Sequence, residues 1–317
     1  MPAIISRGYF SEPWDTVKLH AEIFKHVHGK TFGRICKFVA TIAVVGAGIY
    51  IVQKIRAEKR RKNRQQESRA KKDVVILHQF PRGLYAPSIS PFPLKLETYL
   101  RMANLKYEND FTDFIGSKGK CPFITFNGED IADSQLVIEF LNSRFSIDLN
   151  AKLNDVDKSI AHAFRIMVEN HTYWGGALCR WVFDKNQTIM KISRWPFPWN
   201  FLTYPVVSKI IKKSSWYHGI GRHSEAEILK MMKKDLQEMS VFLGKKPFFM
   251  GDEPSEVDCA IFGFLGQLVW NFPGTVQENF VNEEFSNLKD YCFRMKERYW
   301  PDWDSCLDPP RPRALVH

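Results

Sequence analysis

Lys120-Cys121-Pro122-Phe123-Ile124-Thr125-Phe126-Asn127-Gly128-Glu129-Asp130-Ile131-Ala132-Asp133-Ser134 is the stretch that decides how this chain folds. Phe123–Asn127 and Glu129–Ile131 are short strand-forming runs on either side of Asn127-Gly128. That dipeptide tolerates the positive φ that a two-residue hairpin turn requires. Just beyond, Leu136, Val137, Phe140 and Leu141 recur at helical spacing. A hairpin followed by a helix is therefore predicted.

Toward the N-terminus, Val74-Val-Ile-Leu-His-Gln79 is a largely apolar run that fits a buried strand. Ala86–Ser90 reads as a loop, and Pro91 and Pro93 suit a first helical turn, where a missing N–H costs nothing. Phe92, Leu96, Tyr99, Leu100 and Ala103 continue that helix, and Tyr107–Phe111 reads as a second strand. The order is βαβ, then ββα.

Toward the C-terminus the strand signals stop near Ser146. Ile160, Phe164, Met167 and Val168 open a long helical stretch. Ser224-Glu-Ala-Glu227 is a capping box ahead of the stripe Leu229, Met232, Leu236, Met239 and Leu243. Val257, Ile261, Phe264, Leu265 and Leu268 form a second stripe, and Phe285, Leu288, Cys292, Met295 and Tyr299 a third. The methionines read as core filler. Trp195-Pro-Phe-Pro-Trp199, Tyr204-Pro205 and Trp216-Tyr-His-Gly219 read as an ordered aromatic insertion between helices, serving packing.

The N-terminal quarter is different. After a loosely structured tail (1–33), Phe38–Val52 runs fifteen residues without a charge, and it extends to Ile35 if Lys37 snorkels. A bilayer core needs about 20 apolar residues. A short transmembrane anchor is predicted over 34–53, with a basic linker over 54–73. A signal peptide is disfavoured by the thirty-odd residues ahead of the run.

The net charge of +10 resides largely in Lys54–Lys72, where ten Lys or Arg accompany two acids. That block lacks the aromatics that stack bases, so it reads as a membrane-surface segment and not as a nucleic-acid arm. Its charge excess over residues 1–37 places the C-terminal domains in the cytosol. The six cysteines form no CxxC pair and no zinc spacing, which reads as scattered thiols in a reducing compartment, and no metal site is predicted. Two N-x-[ST] sequons, at Asn170 and Asn186, are common by chance.

A thioredoxin-like half followed by an all-helical half resembles the glutathione transferase superfamily, over about Val74–Pro301. Ile76-Leu77-His78-Gln79-Phe80, Ser88-Ile-Ser90-Pro-Phe92, Lys95–Met102, His218-Gly-Ile-Gly-Arg222 and Trp300-Pro-Asp-Trp303 look like the failed axon connections family. That family is related to the metaxins and to nematode cadmium-responsive proteins. The implied fold is an α/β thioredoxin-like domain (74–145) followed by an all-α transferase C-terminal-like domain (146–305), preceded by the anchor and followed by a tail (306–317).

The resemblance also implies a glutathione site. Pro122 would be cis, leaving the Cys121 backbone free to pair with the peptide. Ser134 would bind the γ-glutamyl carboxylate at a helix N-terminus and Asp133 the amine, although both residues can also simply cap that helix. Ser90 stands where cysteine-type relatives carry their nucleophile, and Pro93 where a second redox cysteine would stand. A serine cannot perform disulfide exchange, but it can hydrogen-bond a glutathione thiolate. Thr112–Lys120 is too short for the helix that usually contacts the glycine end of glutathione. Ser255-Glu-Val-Asp258 resembles the superfamily's S/T-x-x-D box and reads as a folding element.

The expected function is a membrane-anchored, non-enzymatic adaptor with a role in axon development. The alternatives are a glutathione-dependent transferase or stress and metal detoxification protein, and a metaxin-like import component of the mitochondrial outer membrane. The endoplasmic reticulum is a second candidate membrane. A homodimer is a further expectation, and the protein partners are left open.

Overall fold

The computed structural model describes Lys18, Gly48, residues 50–193 and residues 199–309. Of the anchor expected over 34–53, Gly48 and residues 50–53 are described and the remainder lies outside the described residues. Among those described, no helix is long and apolar enough to cross a membrane. Residues 50–63 are helical and carry the exposed ion pair Arg61–Glu58 at 2.9 Å.

From Arg64 onward the chain forms one compact unit. Its first turns, 64–70, are helical. Four strands follow: β1 (Val75–His78), β2 (Tyr107–Asp110), β3 (Phe123–Phe126) and β4 (Glu129–Ala132). The sheet order is β2-β1-β3-β4, with β1/β2 parallel and the other pairs antiparallel. Helix α1 (Pro91–Met102) makes the β1–β2 crossover, and α2 (Ser134–Phe145) follows β4. This is the predicted βαβ–ββα order. Asn127 and Gly128 both take positive φ, 49° and 88°, as the hairpin reading requires.

The basic segment 54–72 is helical through residue 70, and its end is committed to the fold. Arg64 pairs with Asp113 and, at 2.7 Å, with Asp130. Ser68 is buried, and its hydroxyl accepts from the Gly128 N–H at 3.2 Å. Lys71 pairs with Glu108. These residues hold the sheet edge and the hairpin.

The helical half contains α3 (Asp155–Ile166), α4 (Tyr173–Leu178), α5 (Thr188–Ile192), α6 (Trp199–His218), α7 (Glu225–Leu243), α8 (Glu256–Trp270), α9 (Val276–Asn279) and α10 (Ser286–Tyr299). Wider π-turns at Met167–Thr172 and Cys179–Phe183 flank α4. The three predicted stripes fall on α7, α8 and α10 and face one core. The expected aromatic insertion is otherwise: Tyr204-Pro205 and Trp216–His218 lie within the single twenty-residue helix α6, which accommodates Pro205 in its interior. The Trp195–Pro198 part of that expectation lies outside the described residues.

Helix α8 is the central element. Every residue from Val257 to Val269 is buried. It crosses α1 so closely that a Cβ on Gly263 would sit 2.6 Å from the Pro91 carbonyl oxygen. Only glycine fits there without displacing backbone. Its start is fixed by Asp258, whose carboxylate accepts from Ser255 N–H (2.8 Å), the Ser255 hydroxyl (3.0 Å) and Phe249 N–H (3.1 Å). The predicted folding element is therefore closed upon itself.

Candidate functional site

Strand register brings four of the five sequence-predicted residues, Cys121, Pro122, Asp133 and Ser134, to one end of the sheet. Phe123 pairs with His78 on one side and with Ala132 on the other. Cys121-Pro122 immediately precedes Phe123, and Asp133-Ser134 immediately follows Ala132, so the two motifs are neighbours. The Cys121–Pro122 peptide is cis. Cys121 is half-buried and free, and burial pushes its thiol up to about 12, a shift that a hydrogen bond to the Phe80 backbone only partly opposes. A thiol held that far above neutral is a poor nucleophile.

Asp133 is the N-cap of α2. Its carboxylate accepts from Gln135 N–H at 3.0 Å and from Leu136 N–H at 3.4 Å. Its backbone sits at φ 86°, ψ 123°, which a side-chain-bearing residue rarely adopts. Such strain costs about 1–3 kcal/mol and is held in place by its surroundings. Ser134, the first helical residue, is buried at the backbone end of this cap, and its hydroxyl has no hydrogen-bond partner among the described residues. Capping thus occupies Asp133 and leaves Ser134 available.

Ser90 is the N-cap of α1, in extended conformation and without a side-chain cap bond. Its N–H donates to the Ser88 hydroxyl at 3.2 Å. No histidine or carboxylate contacts the Ser90 hydroxyl among the described residues. Ser90 instead lines a cavity of about 350 Å³ between the two halves, with Phe80, Phe114, Tyr173, Arg180 and Trp181 among the walls. Phe114 and Ile115 come from the 111–121 segment, which is irregular and holds no helix, as its length requires.

Arg180 is the cavity residue that sequence reasoning missed. Its guanidinium donates to the Ile89 carbonyl (2.7 Å), to Gln267 Oε1 (3.3 Å) and to the Asn271 carbonyl (3.5 Å), and it stacks 4.5 Å from the Phe272 ring centroid. No carboxylate pairs with it among the described residues, and burial lowers its pKa to about 10. A positive charge thus stands at the cavity wall beside Ser90 with only neutral partners. The one sequence signal was the small-residue run Gly175-Gly176-Ala177. A Cβ on Gly175 would lie 2.4 Å from Met232 Cγ, so the glycine lets α7 approach, while Gly176 and Ala177 keep the cavity open.

Among the described residues no group of His, Cys, Asp and Glu could hold a metal ion. Lys95 of α1 is buried and bonds Gln135 Oε1 at 2.7 Å, tying α1 to the first turn of α2, while its ammonium pairs with Glu169. The site is therefore rigidly framed.

The comparisons with known proteins agree with this geometry. Models of the glutathione S-transferase N-terminal domain and of the glutathione S-transferase C-terminal domain match residues 91–186 and 232–295. The chain is 35% identical to failed axon connections of Drosophila melanogaster over 74% of its own length and 60% of that protein's, so it spans less than two thirds of that relative. It is 28% identical to an isoprene-epoxide–glutathione S-transferase of Rhodococcus sp. (strain AD45), covering 71% of this chain and 99% of that one. Metaxin-2 of Mus musculus is 23% identical over 66% and 82% of the two chains. The β-etherase LigF of Sphingobium sp. strain SYK-6 superposes with a TM-score of 0.53 at 18% identity, over 71% of this chain and 95% of that one, which shows the shared fold. The chain belongs to the glutathione-transferase-like family, and within it is similar to failed axon connections and to the metaxins.

Proposed function

We propose that this protein is a membrane-tethered transferase-like binding protein whose pocket holds a ligand without turning it over. The observation that carries the reading is the contrast between two helix starts, that of α2 at Asp133-Ser134 and that of α1 at Ser90, of which only the second lines the cavity. Asp133 is strained and Ser134 is left unpartnered, as a ligand clamp requires, whereas Ser90 has neither a thiol nor a base. Binding groups are retained and reacting groups are not. Tethering would run through 34–53, with the C-terminal domains on the cytosolic side. The resemblance extends this to an adaptor role in axon development, with the mitochondrial outer membrane or endoplasmic reticulum as its membrane.

A second reading is a glutathione-dependent transferase, and one observation favours it. Arg180 places positive charge near Ser90, where a bound thiolate would be stabilised. A metaxin-like import role is a third, supported by the metaxin relatives alone.

Titrating glutathione against the purified chain by calorimetry separates the readings. The proposal expects binding at about 1 mM or tighter, near −4 kcal/mol, lost in Ser134→Ala. It also expects no conjugation of a reactive electrophile above the uncatalysed rate. Turnover that disappears in Ser90→Ala would sink the non-enzymatic reading in favour of the transferase.

A further inference from the structure

Helix α6 carries a feature that the pocket does not explain. Phe201, Leu202, Val206, Ile210, Trp216 and Tyr217 are 48–76% exposed, a concentration of large apolar side chains on one helix. At 100° per residue, Leu202, Val206, Ile210, Trp216 and Tyr217 fall within one half of the helix circumference. Lys209 and Lys213 lie in the same arc and Lys212 at its margin, all exposed. None has an acidic partner among the described residues, and α6 contains no Asp or Glu. Arg222 adds a fourth cation, stacked 5.6 Å from the Trp216 ring centroid.

The opposite face is accounted for. Val207 and Ile211 line the cavity, and the Tyr204 hydroxyl donates to the Asp184 carbonyl at 2.9 Å. The helix is thus held to the body by one face and presents an apolar, purely cationic face outward.

We propose that the outer face of α6 is a docking surface for an anionic lipid bilayer. Charge complementarity selects this partner. An apolar face for a second protein chain has no need of three lysines without a single acid, whereas a bilayer surface takes both features at once. Apolar side chains enter the acyl boundary, lysines extend their ammonium groups to anionic headgroups, and Trp and Tyr sit at the interface. The lysines lie in the second half of α6, and the exposed apolar residues run along its whole length, Leu202 and Val206 before the lysines and Trp216 and Tyr217 after them. Docking would set the cavity wall formed by Val207 and Ile211 directly above the membrane. This surface is independent of the 34–53 tether and orients the body that the tether only localises.

The test uses the full chain reconstituted with vesicles of phosphatidylcholine alone or of phosphatidylcholine with phosphatidylserine, each doped with bromine-labelled lipid. The readout is the part of the tryptophan emission that Trp216→Phe removes. The expected result is quenching of that part by phosphatidylserine vesicles, at least about twofold stronger than by neutral ones. Lys209→Glu/Lys212→Glu/Lys213→Glu should abolish it, since each lysine near an anionic surface is worth about fivefold in partitioning and three are worth on the order of 100-fold. Ile210→Glu, also at an exposed position, should reduce it without touching the lysines.

If the triple variant leaves the vesicles altogether, docking stands and the tether reading fails. If the chain stays on the vesicles with Trp216 unquenched in both lipids, the tether stands and the docking surface is overturned, leaving the face to an acidic protein. If the wild-type chain binds neither vesicle, both fall.

Discussion

Two half-buried cations contact α1 and the turn ahead of it, Arg82 at Glu97 and Arg180 at the Ile89 carbonyl, and they are treated in opposite ways. Arg82 meets Glu97 through paired bonds of 2.7 and 2.8 Å, and Glu97 also accepts from Gln79, Tyr107 and Asn109. Burial alone would raise the Glu97 pKa, but Arg82 and Gln79 override it and hold the carboxyl below its ordinary value. Arg180 has carbonyl and amide oxygens but no acid. A buried charge is ordinarily paired and saturated with hydrogen bonds. Where that rule is kept, at Arg82–Glu97, the group is architecture that ties α1 to β2 through Tyr107 and Asn109. Where it is broken, at Arg180, the group borders the cavity.

The largest effect should come from breaking the saturated pair. Arg82→Ala takes the closest cation from a carboxylate that is fully buried and leaves it only Arg101 at 3.8 Å, which costs about 3 kcal/mol. Denaturant unfolding would read this as a lower midpoint at unchanged slope. The double variant Arg82→Met/Glu97→Met should recover much of the loss, because no charge is left unpaired. A double variant as unstable as the single one would mean that the pair is valued for its geometry and not for its charge balance.

Arg180 should respond differently. Arg180→Met removes three hydrogen bonds and, with them, an uncompensated buried charge. These terms oppose, and stability should change by no more than about 1 kcal/mol. A loss of about 3 kcal/mol would make Arg180 a strut like Arg82, and the distinction between the two cations would collapse.

What the sequence revealed follows the same division. Strands, hairpin, helix starts and the capping device at Ser255–Asp258 were legible because each is specified by neighbours within a few residues. The 123–134 stretch even placed two of the site motifs side by side, since a tight hairpin fixes register. Arg180 was not legible. It lies 90 residues from Ser90 in sequence, and nothing local marks an arginine as lacking an acid. The commitment of Arg64 to Asp113 and Asp130 was equally hidden, because inside a run of ten cations it looks like every other. The helix through Tyr204-Pro205 was missed for a different reason. Proline and clustered aromatics argue against a long helix locally, and packing of Tyr204, Val207 and Ile211 against the body overrides them.

The smallest effect tests whether that hidden contact reaches the core of the sheet. Arg64 bonds Asp130, Asp130 accepts from the Thr125 hydroxyl (2.7 Å), Thr125 contacts His78 Nε2 (2.9 Å), and His78 Nδ1 contacts Asp110 (2.8 Å). The last three contacts need three protons, and neutral histidine with one threonine hydroxyl supplies two. An imidazolium would complete the set, yet burial, and after it the charge of Arg64, lowers the His78 pKa below 6.5. The folded state therefore binds fewer protons here than the unfolded chain once pH falls through 6.5, so stability drops as the medium is acidified past that point. Arg64→Gln removes the second cause while leaving the first. The His78 titration, followed by NMR of its ring protons, should move upward, and the acid-side loss of stability should shrink. A His78 titration unchanged in Arg64→Gln would show that burial alone sets it, and that the basic helix ends at the sheet edge without reaching the interior.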